Sequence, residues 1–406
     1  MKKDNNNKSK KKDIKDANYN QGIEEVNISD ACTRYMKLFG ANNNIMRHLP
    51  SVLDGLKIGE RRLLYTMYLK KNFHDSRYIK VATTVGAVLE FHPHGPTAVC
   101  DTLVRLAQPW SNIQCTIDGF GNFGAASGEP AAADRYIEAR LSHYAYKCFF
   151  EEFDEDIVDM KWNYSKTALE PEFLPSRYPN VMINNSFGIG YGISTSICTY
   201  NLREVLEATI DLIENPDTDV VVLIPDSPTG AHIVDEGQFE EVSATGQGRF
   251  KMRGEIEIDE ENNVLHIRST PLQVSWINIK KSVFDILIND KMNLMKDFKD
   301  LGSVDKIHYE IYLKKEVDPY SIVQQIYAKT QMEKTFSVNY KLIEDYTDND
   351  YNIKTVLQTW IDFRRETKRR LYSVKLRKNV ERQHILEILL FILNKDNAER
   401  TLQIIK

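Results

Sequence analysis

Apolar residues recur at helical spacing in several segments of the first 150 residues. Val99, Leu103 and Leu106 share one face of the segment HGPTAVCDTLVRL. Pro96 suits the first helical turn of that segment, because the N–H group it lacks would have no partner there. The segment GERRLLYTMYLKK repeats the same spacing, and AAADRYIEARL predicts a further helix from its alanine, arginine and glutamate content. Residues 31–150 are therefore expected to form a helix-rich unit.

Alternation of apolar and polar residues predicts strands further along the chain. The segment RFKMRGEIEIDEENNVLHIRST alternates on both sides of a polar turn, as a β-hairpin does, and KIHYEIYLKK indicates another strand. Helical segments such as SVFDILIND lie between them. Residues 160–355 are therefore expected to be mixed α/β, and the acidic run from Glu151 to Asp159 marks the boundary with the helix-rich region.

From Asn352 onward, the spacing predicts one long helix with a narrow apolar stripe. Such a stripe requires a partner helix, so we interpret it as the beginning of a coiled coil that is truncated before an antiparallel return. The stripe consists of Trp360, Phe363, Leu371, Val374, Ile385 and Ile388. The other faces carry Arg364, Arg365, Lys368, Arg369, Arg370, Lys375, Arg377 and Lys378.

Composition excludes several classes of protein. Of the 406 residues, 42% are hydrophobic and 27% are charged, as in a folded chain with a full core and unlike a disordered or collagen-like chain. No apolar run approaches the ~18 residues of a membrane span. The five cysteines are scattered without a C-x-x-C pair, which argues against structural zinc and favours a reducing compartment. We therefore expect a cytoplasmic protein with no membrane partner.

Charge is unevenly distributed along the chain. The first sixteen residues contain seven lysines and three aspartates, so the net charge of −5 divides into +4 for this segment and −9 for the remainder. We interpret residues 1–30 as a disordered polar tail, which a solvated lysine-rich composition favours.

A candidate reactive cluster combines His92 and His94, a glycine-rich loop, and the pair Arg135–Tyr136. A phenol with a pKa of ~10 forms a phosphodiester when it attacks a phosphate in line. A neighbouring guanidinium and imidazoles would stabilise the charge that develops on the phosphate oxygens. The segment DGFGNFGAASGEP, predicted to be neither helix nor strand, would let the backbone approach a phosphate closely. Taken singly, each feature also fits packing histidines, an incidental tyrosine or a plain loop.

Several segments, taken together and in this order, resemble the breakage–reunion subunit of bacterial type IIA topoisomerases, the gyrase A and topoisomerase IV C subunits. They are LPSVLDGLKIGERRLLYTM, FHPHGPTAVCDTLVRLAQPW, DGFGNFG, AAADRYIEARL, PNVMINNSFGIGYGISTSI, the PLQV turn and the FRRETKRRL…HILE helix, covering roughly residues 31–406. The resemblance implies a multidomain α/β chain. It places a winged-helix DNA-cleavage domain at 31–150, a mixed α/β tower domain at 151–355 and the start of a coiled-coil exit gate at 356–406.

The resemblance also implies roles for individual residues. Tyr136 would be the nucleophile that forms a 5′-phosphotyrosyl bond to DNA, with Arg135 stabilising the phosphate. Ile189 would wedge between base pairs and bend the cut segment. Thr97 and Asp101 match the positions at which quinolone drugs are held through a water–metal bridge. The other catalytic positions fall on Arg47, His92 and His94, and the DNA-contacting ones on Lys57, Arg61 and Arg62.

Four residues depart from the family pattern. Glu60 replaces a basic or histidine residue, which weakens the DNA contact expected there, and Pro96 replaces an aspartate at the drug position. Ile137 replaces a threonine, and Asp134 puts an acid beside the reactive pair. None of these changes removes a group that the chemistry needs.

The resemblance implies double-stranded DNA as substrate, a homodimer, and an A2B2 heterotetramer with an ATPase/toprim B subunit for ATP-dependent strand passage. Mg²⁺ and ATP are expected on that partner, since this sequence has no Walker-type loop. No metal ligand is predicted here, because the nearest D-x-D, at residues 348–350, indicates a solvated loop. Two other interpretations are a DNA-binding architectural relative that has lost cleavage and a tyrosine recombinase, which would need neither the B subunit nor the tower.

Overall fold

The computed structural model describes residues 26–234, 237–289, 292–393 and 403–404. These residues form a mixed α/β architecture, which confirms the predicted class at that level. The polar tail predicted for residues 1–30 falls outside the described residues up to position 25, and a helix already begins at Ile28. In the described part, no helix is both long and apolar enough to cross a lipid bilayer.

The N-terminal region packs three helices against a small antiparallel sheet, in which the strand at 138–141 lies between those at 79–80 and 117–120. The two predicted helices are confirmed at Ile58–Leu69 and Pro96–Leu106, and the apolar face of the second is buried while Pro96 occupies its first turn. Up to Phe150, the elements are α1 (Ile28–Asn43), a π-helical turn (Asn44–His48), α2 (Ile58–Leu69), β1 (Ile79–Lys80), α3 (Val81–Val88), α4 (Pro96–Leu106), β2 (Ile117–Phe120), β3 (Glu138–Leu141), α5 (His143–Ala145) and a second π-helical turn (Tyr146–Phe150).

The helix predicted for AAADRYIEARL is wrong. Arg135 lies in a turn, and the chain continues as strand β3, which pairs with both β1 and β2. Ile137, Ala139 and Leu141 alternate along this segment and are all buried in the sheet, so period-two burial overrides the helical composition. Strand β2 likewise extends to Phe120, so the first residues of the glycine-rich stretch are strand, contrary to the prediction.

The middle region contains two separate cores. One surrounds a five-stranded sheet of order β6-β7-β16-β9-β8, and the other surrounds a four-stranded antiparallel sheet of order β10-β11-β15-β14 with helices α9 and α10. The elements are β4 (Met160–Trp162), β5 (Leu169–Pro171), α6 (Asn180–Ile183), β6 (Ser186–Ile189), β7 (Ser194–Ile197), α7 (Leu202–Glu214), β8 (His232–Ile233), α8 (Phe239–Thr245), β9 (Gln247–Arg253), β10 (Ile256–Asp259), β11 (Val264–Ile267), α9 (Trp276–Leu287), β12 (Ile288–Asn289), β13 (Met292–Asn293), β14 (Met295–Asp300), β15 (Tyr309–Leu313), α10 (Pro319–Lys329), β16 (Glu333–Asn339), β17 (Lys341–Glu344) and β18 (Thr347–Asp350).

These elements confirm the predicted strands and helix of the middle region. The predicted hairpin is the pair β10–β11, KIHYEIYLKK contains β15, and SVFDILIND contributes to α9. The D-x-D segment is not a loop, however, because it forms strand β18, paired with β17. Lys341 of β17 neutralises its acids, with Nζ 3.4 Å from Asp348 and 2.9 Å from Asp350.

The long C-terminal helix is confirmed as α11 (Ile353–Leu393). Within its apolar stripe, Trp360, Leu371 and Val374 are buried and Phe363 is half-buried, whereas Ile385 and Ile388 are exposed. Several of its basic residues pair with the acidic run 151–159, which therefore packs against the helix instead of acting as a free linker. The ion pairs are Arg364 and Lys368 with Glu152, Arg370 with Asp159, Arg377 with Asp156, and Lys378 with Asp154.

Candidate functional site

A cavity of about 720 Å³ opens where the first π-helical turn, the start of α2 and the start of α4 meet. Three long cations and two imidazoles line it together with several apolar side chains. The cationic and imidazole residues are Arg47, Lys57, Arg105, His92 and His94. The cavity is therefore suited to an anionic group, and it contains four residues that the sequence analysis proposed for DNA contact or catalysis.

The two histidines are arranged by arginines. The rings of His92 and His94 contact edge to face, with centroids 4.4 Å apart. Arg47 Nη2 lies 3.4 Å from His94 Nδ1, and Arg62 Nη1 lies 3.3 Å from His92 Nδ1. Because arginine can only donate, each Nδ1 is an acceptor, which leaves the proton of the neutral ring on Nε2.

Both histidines are held in the neutral form. Burial, followed by His94, Arg62 and Arg47, lowers the pKa of His92 to about 4. The pKa of His94 is lowered as well, by burial and then by Arg47 and Arg62. At neutral pH the imidazoles can therefore offer an Nε2–H hydrogen bond to a phosphate, but they supply no positive charge.

Glu60, which stands where the family has a basic or histidine residue, binds groups of this chain. It is buried at the N-terminus of α2, where Oε2 accepts from the Lys57 backbone N–H at 3.0 Å and Oε1 pairs with Arg105. Burial by itself raises the pKa of Glu60, but Arg105 and Lys57 outweigh it and hold that pKa below its usual value. Burial lowers the pKa of Lys57, whose Nζ donates to the Phe187 carbonyl. Glu60 thus holds the Arg105 guanidinium at the cavity and caps the start of α2.

Arg61 and Arg62, whose contact with DNA stays a prediction, are buried in this chain, at 5% and 7% exposure. Arg61 Nε and Nη2 donate to Asp54 at 2.6 and 2.9 Å. Arg62 forms the same two-pronged pair with Glu170, at 2.7 and 2.8 Å. Each guanidinium is therefore paired with a buried carboxylate, and Arg62 also contacts His92.

Tyr136 is 65% exposed, and the Arg135 guanidinium lies over its ring, 4.6 Å from the centroid. Its backbone N–H closes a turn by donating to the Ala133 carbonyl at 2.9 Å. The phenol is therefore accessible, and the guanidinium is next to it. Tyr136 does not line the 720 Å³ cavity of its own chain, so the structure does not bring the predicted nucleophile together with His92 and His94.

The remaining predicted positions are on the surface. Thr97 and Asp101 are exposed, one turn apart on α4. Ile189 is the last residue of β6, and its side chain is 85% exposed, whereas isoleucine is among the residues most often buried. Buried Asn44 fixes the loop that follows: its Oδ1 accepts from Tyr191 N–H at 2.7 Å and its Nδ2 donates to the Tyr191 carbonyl at 3.1 Å.

The family model for the A subunit of DNA gyrase/topoisomerase IV matches residues 47–406. The chain belongs to this family. It is 35% identical over 370 residues to the DNA gyrase A subunit of Leptospira biflexa, an alignment that covers 89% of this chain and 43% of the relative. It is 34% identical to the gyrase A subunit of Clostridium acetobutylicum, covering 95% and 48%, and 32% identical to the topoisomerase 4 A subunit of Streptococcus pneumoniae, covering 92% and 46%. The chain thus spans less than half the length of these relatives.

Membership of the gyrase/topoisomerase IV A-subunit family confirms the resemblance drawn from the motifs. The sequence analysis missed four residues that shape the site, namely Asp54, Glu170, Arg105 and Asn44. Asp54 left a signal, since an acid seven residues before an arginine pair inside an apolar segment requires a charged partner. Glu170 and Asn44 left none, because their partners lie 108 and 147 residues away.

Proposed function

We propose that this chain supplies the DNA breakage–reunion activity of a type IIA topoisomerase and makes a transient, staggered double-strand break through a 5′-phosphotyrosyl intermediate. The observation that carries the proposal is the exposed Tyr136 phenol with the Arg135 guanidinium against its ring, in a chain of the gyrase/topoisomerase IV A-subunit family. A mere DNA-binding surface would not require an accessible phenol beside a fixed cation.

In the proposed reaction, Tyr136 Oη bonds to a DNA phosphorus and the P–O3′ bond breaks. The phenol gives up one proton and the departing 3′ oxygen takes up one, so no water is consumed and the reverse attack reseals the strand. Arg135 and Arg47 would neutralise the developing charge on the phosphate oxygens. The Nε2–H groups of His92 and His94 would donate to the same oxygens, a role that their lowered pKa values support.

The separation of Tyr136 from the cavity supports a homodimer. We infer that the tyrosine of one copy acts in the cavity of the second copy, so that each cavity receives one nucleophile. Two such sites acting on opposite strands would give a staggered break. Ile189 would insert between base pairs, where the cost of unstacking is offset by contacts to bent DNA. Thr97 and Asp101 would form the drug positions on exposed α4.

Mg²⁺ and ATP are proposed to bind to an ATPase/toprim B subunit in an A2B2 assembly in the cytoplasm. Among the described residues, the one group of three side chains with a metal-binding geometry lies in the sheet β10-β11-β15-β14, and it does not line the cavity. The cavity's acid, Glu60, is already paired with Arg105. These residues do not fit a Mg²⁺ site, so no step of the proposed reaction passes through a metal held by this chain.

The test is covalent capture of DNA. The chain is mixed with the B subunit of a related enzyme, Mg²⁺ and labelled duplex DNA, quenched with denaturant, and analysed for protein-linked DNA. We expect 5′-linked adducts that disappear in Tyr136→Phe and persist in Tyr164→Phe, which alters a tyrosine that is also exposed. Adducts that survive Tyr136→Phe would contradict the nucleophile. No adduct from the unaltered chain would favour a non-cleaving DNA-binding relative, and adducts without the B subunit would favour a recombinase.

A further inference from the structure

A cluster of metal-binding side chains lies on one face of the four-stranded sheet, outside the cavity. The register pairs His266 of β11 directly with Glu310 of β15. His308 precedes Glu310 by two residues. Because neighbouring residues across an antiparallel pair and residues two apart on one strand point to the same side, the three side chains converge. None of them takes part in the proposed DNA reaction.

The distances between the three candidate ligand atoms are close to those of a metal centre. His266 Nδ1 lies 3.4 Å from His308 Nε2, and Glu310 Oε1 lies 3.5 Å from the first and 3.8 Å from the second. Ligands at ~2.0–2.1 Å around a tetrahedral zinc ion are separated by roughly 3.3 Å. A small contraction would therefore bring all three atoms into bonding distance of one ion.

The carboxylate is oriented toward the two histidines by its neighbours. The Tyr312 hydroxyl donates to Glu310 Oε2 at 2.7 Å, and Lys299 Nζ donates to the Tyr312 oxygen at 3.0 Å, so Oε1 remains directed at the imidazoles. Hydrogen bonds of this kind, made to the atoms that do not bind the ion, are what orients metal ligands in proteins.

The local charge is compatible with a cation. Two positive groups near the cluster are already bound elsewhere: Arg268 Nε donates to Glu257 Oε2 at 2.7 Å, and Lys299 Nζ donates to the Tyr312 oxygen at 3.0 Å. The side chains of His266, His308 and Glu310 are 18%, 24% and 13% exposed, which leaves room for water to complete the coordination.

We propose that His266 Nδ1, His308 Nε2 and Glu310 Oε1 form a binding site for a divalent cation of the zinc class. Two imidazoles and one carboxylate suit zinc and its late first-row neighbours better than Mg²⁺ or Ca²⁺, which prefer oxygen ligands. The bound ion would connect β11 to β15 and stabilise this sheet. The sequence analysis predicted no metal ligand, and sequence spacing does not indicate this site, since the two histidines are 42 residues apart.

The same three side chains could instead form a hydrogen-bonded triad without a metal, and zinc titration separates the two cases. The 406-residue chain, stripped with chelator, is titrated with Zn²⁺ by calorimetry and with Co²⁺ by visible absorption. We expect His266→Gln and Glu310→Gln each to lose one bound ion per chain and the corresponding Co²⁺ band. The control His232→Gln alters an exposed histidine 3.7 Å from the single carboxylate of Glu255, and it should bind as the unaltered chain does.

Tyr312→Phe keeps all three ligands and removes only the hydroxyl that donates to Glu310 and accepts from Lys299, so it should fold even if a ligand variant does not. We expect it to weaken Zn²⁺ binding about tenfold. His92 and His94 are present in every variant, so any ion that they bind cancels in the comparison. Equal stoichiometry and affinity in all variants, or no Zn²⁺ binding by the unaltered chain at millimolar concentration, would overturn the proposal.

Discussion

If Arg61 has a structural role, its replacement should lower the stability of the protein without changing DNA binding. Asp54 is fully buried and accepts not only from Arg61 but also from the backbone N–H groups of Leu56 and Leu174, at 3.1 and 3.0 Å. Arg61→Met would leave this carboxylate in the interior without its cation. Removing one partner of a buried pair costs about 3–5 kcal/mol, so we expect a loss of that size in the free energy of unfolding.

A double-mutant cycle tests the pairing itself. Asp54→Asn strands the Arg61 guanidinium and should cost a similar amount. The double variant removes both charges, so its cost should fall short of the sum of the two single costs by about 0.5–3 kcal/mol. Urea unfolding at constant pH measures each value, and an unchanged dependence on urea concentration shows that the comparison is valid.

DNA binding provides the second readout. Each phosphate contact contributes about −0.9 to the slope of log affinity against log salt concentration. Arg47→Met removes an exposed arginine of the cavity, so it should lower this slope by about one while leaving stability within about 0.5 kcal/mol. Arg61→Met, measured where it remains folded, should leave the slope unchanged. If Arg61→Met instead keeps its stability and lowers the slope, then Arg61 contacts DNA and its burial does not decide its role.

Two further predictions concern His92 and Ile189. Because the folded protein holds the pKa of His92 at about 4, below the 6.5 of an unperturbed ring, the unfolded chain takes up the proton first as the pH falls. The free energy of unfolding of the unaltered chain, measured by urea unfolding relative to that of His92→Gln, should therefore fall from pH 6.5 to pH 4. Ile189→Ala should reduce DNA bending, measured by energy transfer between the duplex ends, because the wedge is lost. Ile210→Ala, on the exposed side of α7, should not change it.

Each of these has an outcome that contradicts it. Parallel pH profiles for the unaltered chain and His92→Gln would show that the ring titrates alike in the folded and unfolded chains. An unchanged bend in Ile189→Ala, or an equal loss of bending in Ile210→Ala, would remove the assigned role of the exposed isoleucine.

The pattern of apolar and polar residues within a single segment was enough to predict several helices and strands. Helix α4 follows from the spacing of Val99, Leu103 and Leu106 and from Pro96 at its start, and all of these signals lie within one segment. The hairpin β10–β11 and the long helix α11 follow in the same way. The order of several motifs was enough to identify the family.

The tertiary structure decided the environment of each charge and the face of each strand. The segment around Tyr136 is a turn and a strand, because Ile137, Ala139 and Leu141 are buried against the neighbouring strands. The amino-acid composition of the segment carries no information about those strands. Arg62 is neutralised by an acid 108 residues away, and His266 meets Glu310 only through strand register. The role of a charged or metal-binding side chain depends on the group it contacts. Those contacts are made by packing between segments that are distant in the sequence, so the sequence pattern does not contain them.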